Sequence, residues 1–292
     1  SNLANQLAEE EPVYIYCNSQ DIKDCRLTVS NQKISIIEVN LDDSWMRDIA
    51  PIFYKEEQQL KSINFNFNGY GKYPNYKNDN FLSDIICDQF KIPYKNSSIT
   101  LEGGGITYDD QGNLFTTESV LLNSNRNNLS KQFLEEELKK QFSLKNVIWL
   151  KEGLFGDDTD GHIDNIFCPI GNDQYLIAST KDNTSKNYYI LQEAKQLVEE
   201  YLSRLNPKIE IIEIPLPSEI EIDNKVLVAS YINFYFCKNS LLVPKFNVDE
   251  DLEVYDIFQS LFPSKKIKMI ETSNINYGGG NIHCVTMNMP KI

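Results

Sequence analysis

The chain has 292 residues, of which 41% are hydrophobic and 24% are charged, the composition of an ordinary soluble globular protein. Its 28 basic and 42 acidic residues give a formal net charge of −14. This balance argues against a nucleic-acid partner, because a phosphate backbone is bound by clustered Lys and Arg. No apolar run reaches the roughly 20 residues of a membrane helix, so we expect no membrane partner either.

The six cysteines are scattered along the chain without CxxC spacing. The opening sequence SNLANQLAEE is polar and helical in character, which does not fit a secretory signal. We therefore expect reduced thiols in a cytoplasmic protein. The two histidines lie far apart and provide no zinc-binding spacing, so the sequence predicts no metal site.

Amphipathic periodicity predicts five helices, at about 2–10, 79–90, 129–142, 187–206 and 249–262. The fourth pattern is the clearest. One face of that helix is expected to carry Leu191, Ala194, Val198, Tyr201, Leu202 and Leu205.

The runs between these helices are rich in β-branched and aromatic residues and are broken by turn chemistry. Hairpin turns are expected near residues 56–58, 109–113, 171–173 and 238–240. Each hairpin follows a short polar or glycine-rich segment and precedes a helix, and this unit repeats at roughly fifty to seventy residues. A last glycine-rich segment and a strand are expected to close the chain. Such repetition favours one closed α/β assembly, although helix–sheet sandwiches stay open.

Four of these polar segments carry the residues with chemical potential. DDSWMRDIAP surrounds Trp45 with aspartates, an arrangement that attracts a cation but that also fits an acidic turn. LEGGGITYDD places Glu102 before three glycines, which could equally form a bulge. GDDTDGHIDN holds His162 and Asp164 two residues apart. On a strand both side chains would project from the same face, as general acid–base work requires, and a metal-site fragment is the alternative.

The fourth segment, GGGNIHC, ends in a cysteine that is a candidate nucleophile. Its glycines, Gly279 and Gly280 among them, would let the backbone approach a ligand before Cys284. For a single cysteine, a buried apolar role is the plainer interpretation. Together, however, the segments supply a thiol, a histidine and several carboxylates. Carboxylates hold a planar guanidinium by paired hydrogen bonds, and its electron-poor carbon is open to thiolate attack. The set favours guanidine-modifying chemistry over proteolysis.

The order of the motifs DDSWMRD, LEGGG, DDTDGHIDN, SYINFYF with VPKF, and GGGNIHC resembles the agmatine deiminase family, from about residue 12 to the C-terminus. The resemblance implies an α/β fold, a five-bladed α/β propeller (the pentein fold) of pseudo-repeated ββαβ units, with residues 1–292 as a single catalytic domain. Family members usually begin with a further segment that completes the first blade. We expect this chain to lack that N-terminal segment.

The resemblance also implies hydrolysis of agmatine to N-carbamoylputrescine and ammonia, without a cofactor, in polyamine synthesis or arginine-derived catabolism. By position in the motifs, Cys284 corresponds to the nucleophile and His162 to the general acid and base. Cys284 must be ionised to attack, and a bound cationic substrate would favour the thiolate. A thiolate–imidazolium pair in the free enzyme predicts a bell-shaped pH dependence.

The remaining site residues are likewise implied by their places in the motifs. Asp48 and Asp164 correspond to a clamp for the guanidinium. Glu102 corresponds to a carboxylate that binds the guanidinium and orients the histidine. Trp45 and Asp158 correspond to contacts with the aliphatic chain of the substrate and its far ammonium group.

Several alternatives remain open in the sequence. A deiminase of free or peptidyl arginine would need a cation for the extra carboxylate, and Arg47 and Arg126 are the arginines near the motifs. A catalytically silent relative would only bind a guanidine or a polyamine. We interpret His283 as structural, in packing or at a dimer contact, because on a strand it would point away from Cys284. We interpret Asn281 as a turn former, and the sequence leaves a homo-oligomer open.

Overall fold

Five helix-containing units follow one another in the computed structural model, which describes residues 2–291. Before the first unit lies helix α1 (Asn2–Ala8). The first unit contains two parallel strands joined by a helix: β1 (Val13–Cys17), α2 (Ile22–Thr28) and β2 (Ile34–Glu38). A helical crossover is needed here because parallel neighbours cannot be joined by a tight turn.

The other four units share one order: two antiparallel strands, a helix, and a third strand parallel to the second. Short helix α3 (Met46–Ile49) leads into the second unit, which consists of β3 (Ile52–Glu56), β4 (Gln59–Asn66), α4 (Lys77–Phe90) and β5 (Tyr94–Thr100). The third unit consists of β6 (Ile106–Tyr108), β7 (Asn113–Thr117), α5 (Glu118–Leu121), α6 (Lys131–Phe142) and β8 (Asn146–Leu150).

The fourth unit consists of β9 (Phe167–Gly171), β10 (Gln174–Ser179), α7 (Asn187–Leu205) and β11 (Glu210–Pro215). A separate hairpin follows it, made of β12 (Ile220–Ile222) and β13 (Lys225–Leu227). The fifth unit consists of β14 (Tyr235–Phe236), β15 (Ser240–Lys245), α8 (Glu250–Leu261) and β16 (Lys266–Glu271), and it is followed by α9 (Ser273–Tyr277).

This mixed α/β architecture confirms the predicted helices, hairpins and ββαβ order. The first strands of the four complete units begin at Ile52, Ile106, Phe167 and Tyr235, in agreement with the predicted repeat. In α7 the predicted apolar face packs into the core through four residues: Leu191, Ala194, Val198 and Leu202. Leu205 was predicted on the same face but is 50% exposed, because it is the last residue of the helix and the packed face ends before it.

The prediction that a strand closes the chain is wrong. Residues 282–285 form a turn, in which the backbone N–H of Val285 donates to the carbonyl of Asn281 at 3.2 Å. The side-chain oxygen of Asn281 accepts from the N–H of Ile282 at 2.9 Å, so its predicted role as a turn former is confirmed. Side-chain amides of this kind compete with regular ladders by bonding the local backbone.

The N-terminal segment lies against the fifth unit. The Glu10 carboxylate accepts from the backbone N–H of Asn239 at 2.6 Å, and Leu7 joins a buried cluster with Leu242 and Ile270 of the fifth unit. Burial of apolar surface is the main stabilising term for such a contact. Among the helices that the structure describes, none combines the length and apolarity that crossing a bilayer requires.

Each complete unit presents a polar side chain just before its first strand. Asp48 precedes β3, Glu102 precedes β6, His162 precedes β9, and Asn233 precedes β14. The same end of successive units therefore carries the polar segments, and this placement brings residues that are remote in the chain into one site.

Candidate active site

The thiol of Cys284 lies at the meeting point of three polar segments and is 7% exposed. Its sulfur is 3.9 Å from Oδ2 of Asp164 and 3.2 Å from Nδ2 of Asn233. The carbonyl oxygen of Cys284 accepts from the backbone N–H of Arg47 at 2.9 Å. The turn that carries the cysteine is thus held by the segment DDSWMRD and by the motif SYINFYF.

His162 faces two carboxylates and is 1% exposed. Its Nδ1 is 3.8 Å from Oδ1 of Asp48, and its Nε2 is 3.6 Å from Oε2 of Glu102. Both separations exceed normal hydrogen-bond lengths, so the interaction is mainly one of charge. The predicted strand placement is wrong, since His162 caps a 3₁₀ turn at Ile163–Asn165. This turn still brings His162 and Asp164 into the same site.

Gly104 explains why the motif LEGGG needs glycine at its centre. A β-carbon on Gly104 would lie 2.5 Å from Nδ1 of His162, 2.9 Å from Oδ1 of Asp48 and 3.2 Å from Oδ2 of Asp164. The backbone N–H of Gly104 also donates to Oδ1 of Asp48 at 2.9 Å. The predicted catalytic histidine and both clamp aspartates therefore surround one glycine, where no side chain fits.

Two buried side chains hold the carboxylates in place. The Tyr70 hydroxyl donates to Oδ2 of Asp48 at 2.9 Å. Nε of Arg126 donates to Oε1 of Glu102 at 2.7 Å, and the same guanidinium pairs with Asp160 at 2.6 Å. Removing one partner of such a buried ion pair strongly destabilises the folded protein, because the other charge is left buried without compensation.

The buried charges shift one another's pKa values. Burial raises the pKa of Asp48 to about 6. For His162, burial favours the neutral ring, but the charges of Asp48, Glu102 and Asp164 outweigh it and raise its pKa to about 9. Burial likewise opposes ionisation of Glu102, yet contact with His162 and the charge of Arg126 lower its pKa. Between about pH 6 and 9, His162 is therefore an imidazolium flanked by carboxylates.

The thiol behaves differently from the imidazole. Burial, together with the negative charges of Asp164 and Asp48, raises the pKa of Cys284 well above its usual range. The imidazolium half of the expected pair agrees with the pKa of His162. The predicted Cys284 thiolate is wrong for the site without substrate. An uncompensated anion next to two carboxylates is unfavourable in a buried environment.

The side chain of His283 also lies in the site, contrary to the prediction that it points away. Its Nδ1 is 2.6 Å from Oδ2 of Asp164, because the segment is a turn and not a strand. Burial and the nearby Arg47 lower the pKa of His283. Burial opposes ionisation of Asp164, but its contact with His283 outweighs burial and lowers the pKa of this carboxyl. Nδ1 of His283 therefore donates a hydrogen bond to the Asp164 carboxylate.

The predicted substrate-binding residues form a rim next to the thiol. A β-carbon on Gly280 would collide with the Trp45 ring and lie 2.9 Å from Cβ of Cys284. A β-carbon on Gly279, whose φ is +107°, would lie 3.8 Å from Oδ2 of Asp158. Asp158 is exposed and Trp45 is half-buried. Trp45, Asp158, Gly279 and Gly280 are thus brought together, at a place open to solvent.

Three polar atoms in the site have no partner within residues 2–291, although all are buried: Oδ1 of Asp164, Oε2 of Glu102 and Nε2 of His162. Buried polar atoms are normally hydrogen-bonded, so a cluster of three calls for an explanation. The two oxygens suit a ligand with several N–H donors in a plane, such as a guanidinium.

Comparison with known proteins identifies the family of this chain. Residues 1–290 match the family described as Porphyromonas-type peptidyl-arginine deiminase. The chain belongs to this family. It is 30% identical to the agmatine deiminases of Pseudomonas aeruginosa and Ectopseudomonas mendocina, and each alignment covers 99% of this chain and 85% of the relative. Its fold matches a structure of the agmatine deiminase of Enterococcus faecalis with a TM-score of 0.94, at 27% identity, over 99% of this chain and 86% of that one.

These matches confirm the resemblance predicted from the five motifs. They extend it over nearly the whole chain of this peptidyl-arginine deiminase family member, whereas the motifs alone indicated it from about residue 12.

Tyr70, Asn233 and His283 make contacts in the site of this family member that were not predicted from the sequence. The available signals were weak: a tyrosine between two glycines in NGYG, an asparagine within SYINFYF, and a histidine next to the candidate nucleophile. None of these patterns specifies a partner, because each partner is distant in the chain.

Proposed function

We propose that this chain is an agmatine deiminase, which hydrolyses agmatine to N-carbamoylputrescine and ammonia through a covalent amidino-cysteine. The observation that carries the proposal is the buried Cys284 sulfur, 3.9 Å from a clamp carboxylate. That carboxylate, on Asp164, keeps one buried oxygen without a partner in the described residues, as does Glu102. A planar cation would satisfy both oxygens through its N–H groups.

Substrate binding prepares the nucleophile in this mechanism. The guanidinium enters between Asp48, Asp164 and Glu102 and compensates their charge. A positive charge next to the sulfur lowers the pKa of Cys284 from its raised value, so the thiol proton passes to solvent as the substrate binds. The thiolate thus forms when its target is present.

The first chemical step forms a carbon–sulfur bond and breaks a carbon–nitrogen bond. The Cys284 thiolate adds to the central carbon of the guanidinium. His162, an imidazolium at neutral pH, gives its proton to a terminal nitrogen, which departs as ammonia. The product of this step is an S-amidino derivative of Cys284.

The second step reverses the role of the histidine. Neutral His162 takes a proton from a water molecule, and the resulting hydroxide adds to the amidino carbon. The carbon–sulfur bond breaks, the hydroxyl proton passes to solvent, and N-carbamoylputrescine leaves. As the product leaves, the Cys284 thiolate takes up a proton from solvent, which restores the thiol and the His162 imidazolium of the free site.

The surroundings of the two nearby arginines support agmatine over arginine. All three nitrogens of the Arg126 guanidinium are bonded, to Glu102, Asn125, Asp160 and the Thr159 carbonyl. Arg47 is bonded to the turn that carries the nucleophile, through the His283 carbonyl at 3.3 Å and Asn288 at 3.1 Å. Neither guanidinium is therefore available for a substrate carboxylate. The acidic rim at Asp158 suits the far ammonium of agmatine instead.

We further propose that residues 1–292 form one catalytic domain, and that its five units are the blades of a five-bladed α/β propeller of the pentein fold. The repeated ββαβ order and the contacts between Glu10 and Asn239 support this arrangement. Six free thiols fit the reducing conditions of the cytoplasm, where we expect the enzyme to work.

The test is to incubate the full chain with agmatine and to measure ammonia and the carbamoyl product. We expect turnover by the wild type and none by Cys284→Ala. Cys87→Ala is the matched control, since Cys87 is also a buried cysteine but lies in α4 away from the site, and it should stay active. A folded wild-type protein that releases no ammonia would refute the proposal.

Two further measurements separate the alternatives. Comparing kcat/KM for agmatine, free arginine and an arginyl peptide tests the substrate, and a higher value for either arginine substrate would overturn the preference for agmatine. A haloacetamidine should label Cys284 alone. Equal labelling of all six cysteines would instead favour a silent binding protein, because an unactivated thiol reacts no faster than its neighbours.

A further inference from the structure

Asn233 is a buried amide that no step of the reaction above uses. It belongs to the motif SYINFYF, lies just before β14 and is 0% exposed. Its Oδ1 accepts from the backbone N–H groups of His283 at 3.0 Å and Cys284 at 3.3 Å. Because only the oxygen end of an amide can accept these bonds, they fix the orientation of the side chain.

The amide nitrogen is consequently directed at the sulfur. Nδ2 of Asn233 is 3.2 Å from Sγ of Cys284 and 3.1 Å from Oδ1 of Asn165. An amide nitrogen carries two N–H donors, which matches these two acceptors. Asn165 is anchored in turn by Asp157, whose Oδ2 accepts from its Nδ2 at 3.1 Å. The donor is therefore held from both sides.

Ionisation of the thiol changes what this contact can be. A neutral thiol can also donate to Oδ1 of Asn233, which is 3.3 Å from the sulfur. A thiolate has no proton and can only accept, so the contact with Nδ2 becomes a charge-assisted N–H···S⁻ hydrogen bond. A hydrogen bond to the charged form of a group favours that form.

We propose that Asn233 is a catalytic residue that donates a hydrogen bond to the Cys284 sulfur and stabilises the thiolate during turnover. This role rests on the proposed function of Cys284 as the nucleophile. Asn233 also fixes the turn through its Oδ1, so one side chain both positions the sulfur and stabilises its charge.

Some of the other groups around the sulfur favour the Cys284 thiolate and some disfavour it. Asp48 and Asp164 disfavour the thiolate by repulsion. Charges of the opposite sign come from the His162 imidazolium and from Arg47, while neutral His283 is bonded to Asp164. Asn233 differs from all of them because it touches the sulfur itself and carries no net charge. Its effect on the thiolate fraction is therefore expected at every pH at which Cys284 is mostly a neutral thiol.

The test measures alkylation of Cys284 by iodoacetamide in the full chain without substrate, between pH 7 and 10. Mass spectrometry of the Cys284 peptide separates this site from the other cysteines. The rate follows the thiolate fraction, and a hydrogen bond to a charged group is worth about 10- to 100-fold in an equilibrium constant. We therefore expect Asn233→Ala and Asn233→Asp to be alkylated about 10- to 100-fold more slowly than wild type.

Asn64→Ala is the matched control. Asn64 is also buried and also lies beside a cysteine, with its Oδ1 3.6 Å from the Cys87 sulfur in the second unit. It should leave Cys284 alkylation unchanged. Because no substrate is present, the measurement reads the role of Asn233 whether or not the enzyme turns over agmatine.

Asn233→Ala decides between donation and a purely structural role, because it removes the donor without bringing a charge near the sulfur. A purely structural role predicts an alkylation rate equal to that of the wild type, or faster as the turn loosens, and either result would overturn the proposal. Asn233→Asp cannot donate to the sulfur and adds a negative charge beside it, so it should be alkylated at least as slowly as Asn233→Ala.

A measurement on unaltered Asn233 covers the case in which both variants fail to fold. At a fixed pH, the side-chain N–H resonance of Asn233 in the wild-type protein should lie downfield of its position in Cys284→Ala, because the sulfur accepts this hydrogen bond. Identical resonances in the two proteins would contradict the proposed hydrogen bond.

Discussion

Asp48→Asn removes one charge from the site while nearly preserving the size of the side chain, and we predict that it lowers the pKa of His162. In the wild type, Asp48 accepts from the N–H of Gly104 and from the Tyr70 hydroxyl, both at 2.9 Å. Asparagine can keep the first bond through its oxygen and can donate to the phenol oxygen with its Nδ2. The charge is therefore the main quantity that changes.

The magnitude follows from the separation of 3.8 Å between Asp48 Oδ1 and His162 Nδ1. Two unit charges at this distance interact by roughly 4 kcal/mol at an effective dielectric constant of about 20. That energy corresponds to roughly 3 pKa units. Relaxation of neighbouring groups reduces the effect, so we expect the pKa of His162 to fall from about 9 to between about 6 and 8.

NMR titration of the imidazole signals in the free protein measures this pKa without requiring turnover. The chain has only two histidines, and His162→Gln identifies the signal of interest by its disappearance. Asp43→Asn, an exposed aspartate in the same segment, is the control and should leave the pKa unchanged. A pKa that stays near 9 in Asp48→Asn would show that the charge of Asp48 does not hold His162 protonated.

The raised pKa of His162 has a consequence for stability. A folded-state pKa of about 9 exceeds the ordinary value of 6.5, so the folded protein binds the proton more tightly than the unfolded chain. The stabilisation is fully present below about pH 6.5 and is lost as the pH rises through about 9. In Asp48→Asn the stabilisation by protonated His162 should be lost at a lower pH than in the wild type. Urea unfolding at a series of pH values would detect this change in the free energy of unfolding.

Three more substitutions probe packing and buried charge. Gly104→Ala should lower kcat by at least about 100-fold, since the new β-carbon would meet the imidazole at 2.5 Å, and the ammonia assay measures the loss. Arg126→Leu should destabilise the fold by about 3 to 5 kcal/mol, because the wholly buried Glu102 carboxylate loses its directly hydrogen-bonded cation, as urea unfolding would show. Leu202→Ala should cost about 2 to 5 kcal/mol, whereas half-exposed Leu205→Ala should stay within about 0.5 kcal/mol, by the same measurement.

Each of these predictions has an outcome that contradicts it. Full activity of Gly104→Ala would mean that the site does not need the close approach seen at this glycine. Unchanged stability of Arg126→Leu would mean that Glu102 becomes protonated or hydrated at little cost. Equal losses for the two leucine variants would contradict the different burial of the two positions, since the pair is matched in residue type and helix.

Local patterns predicted the elements of this fold because they act within a few residues. The α7 periodicity identified Leu191 and Leu202 as core residues, and turn chemistry at residues 171–173 identified the β9–β10 hairpin. The same local rules failed at the chain's last segment. GGGNIHC looks like a segment that enters a strand, but Asn281 bonds the local backbone and forms a turn.

Residue type and motif order alone indicated the proposed reacting groups, with Cys284 as the nucleophile and His162 as the acid. Their partners and their charge became visible only in the folded chain. The protonated state of His162 depends on Asp48, 3.8 Å away, and then on Glu102, while the sulfur meets Asn233 at 3.2 Å. These partners are remote in the chain, and burial and Coulomb energies depend on distances that only folding sets.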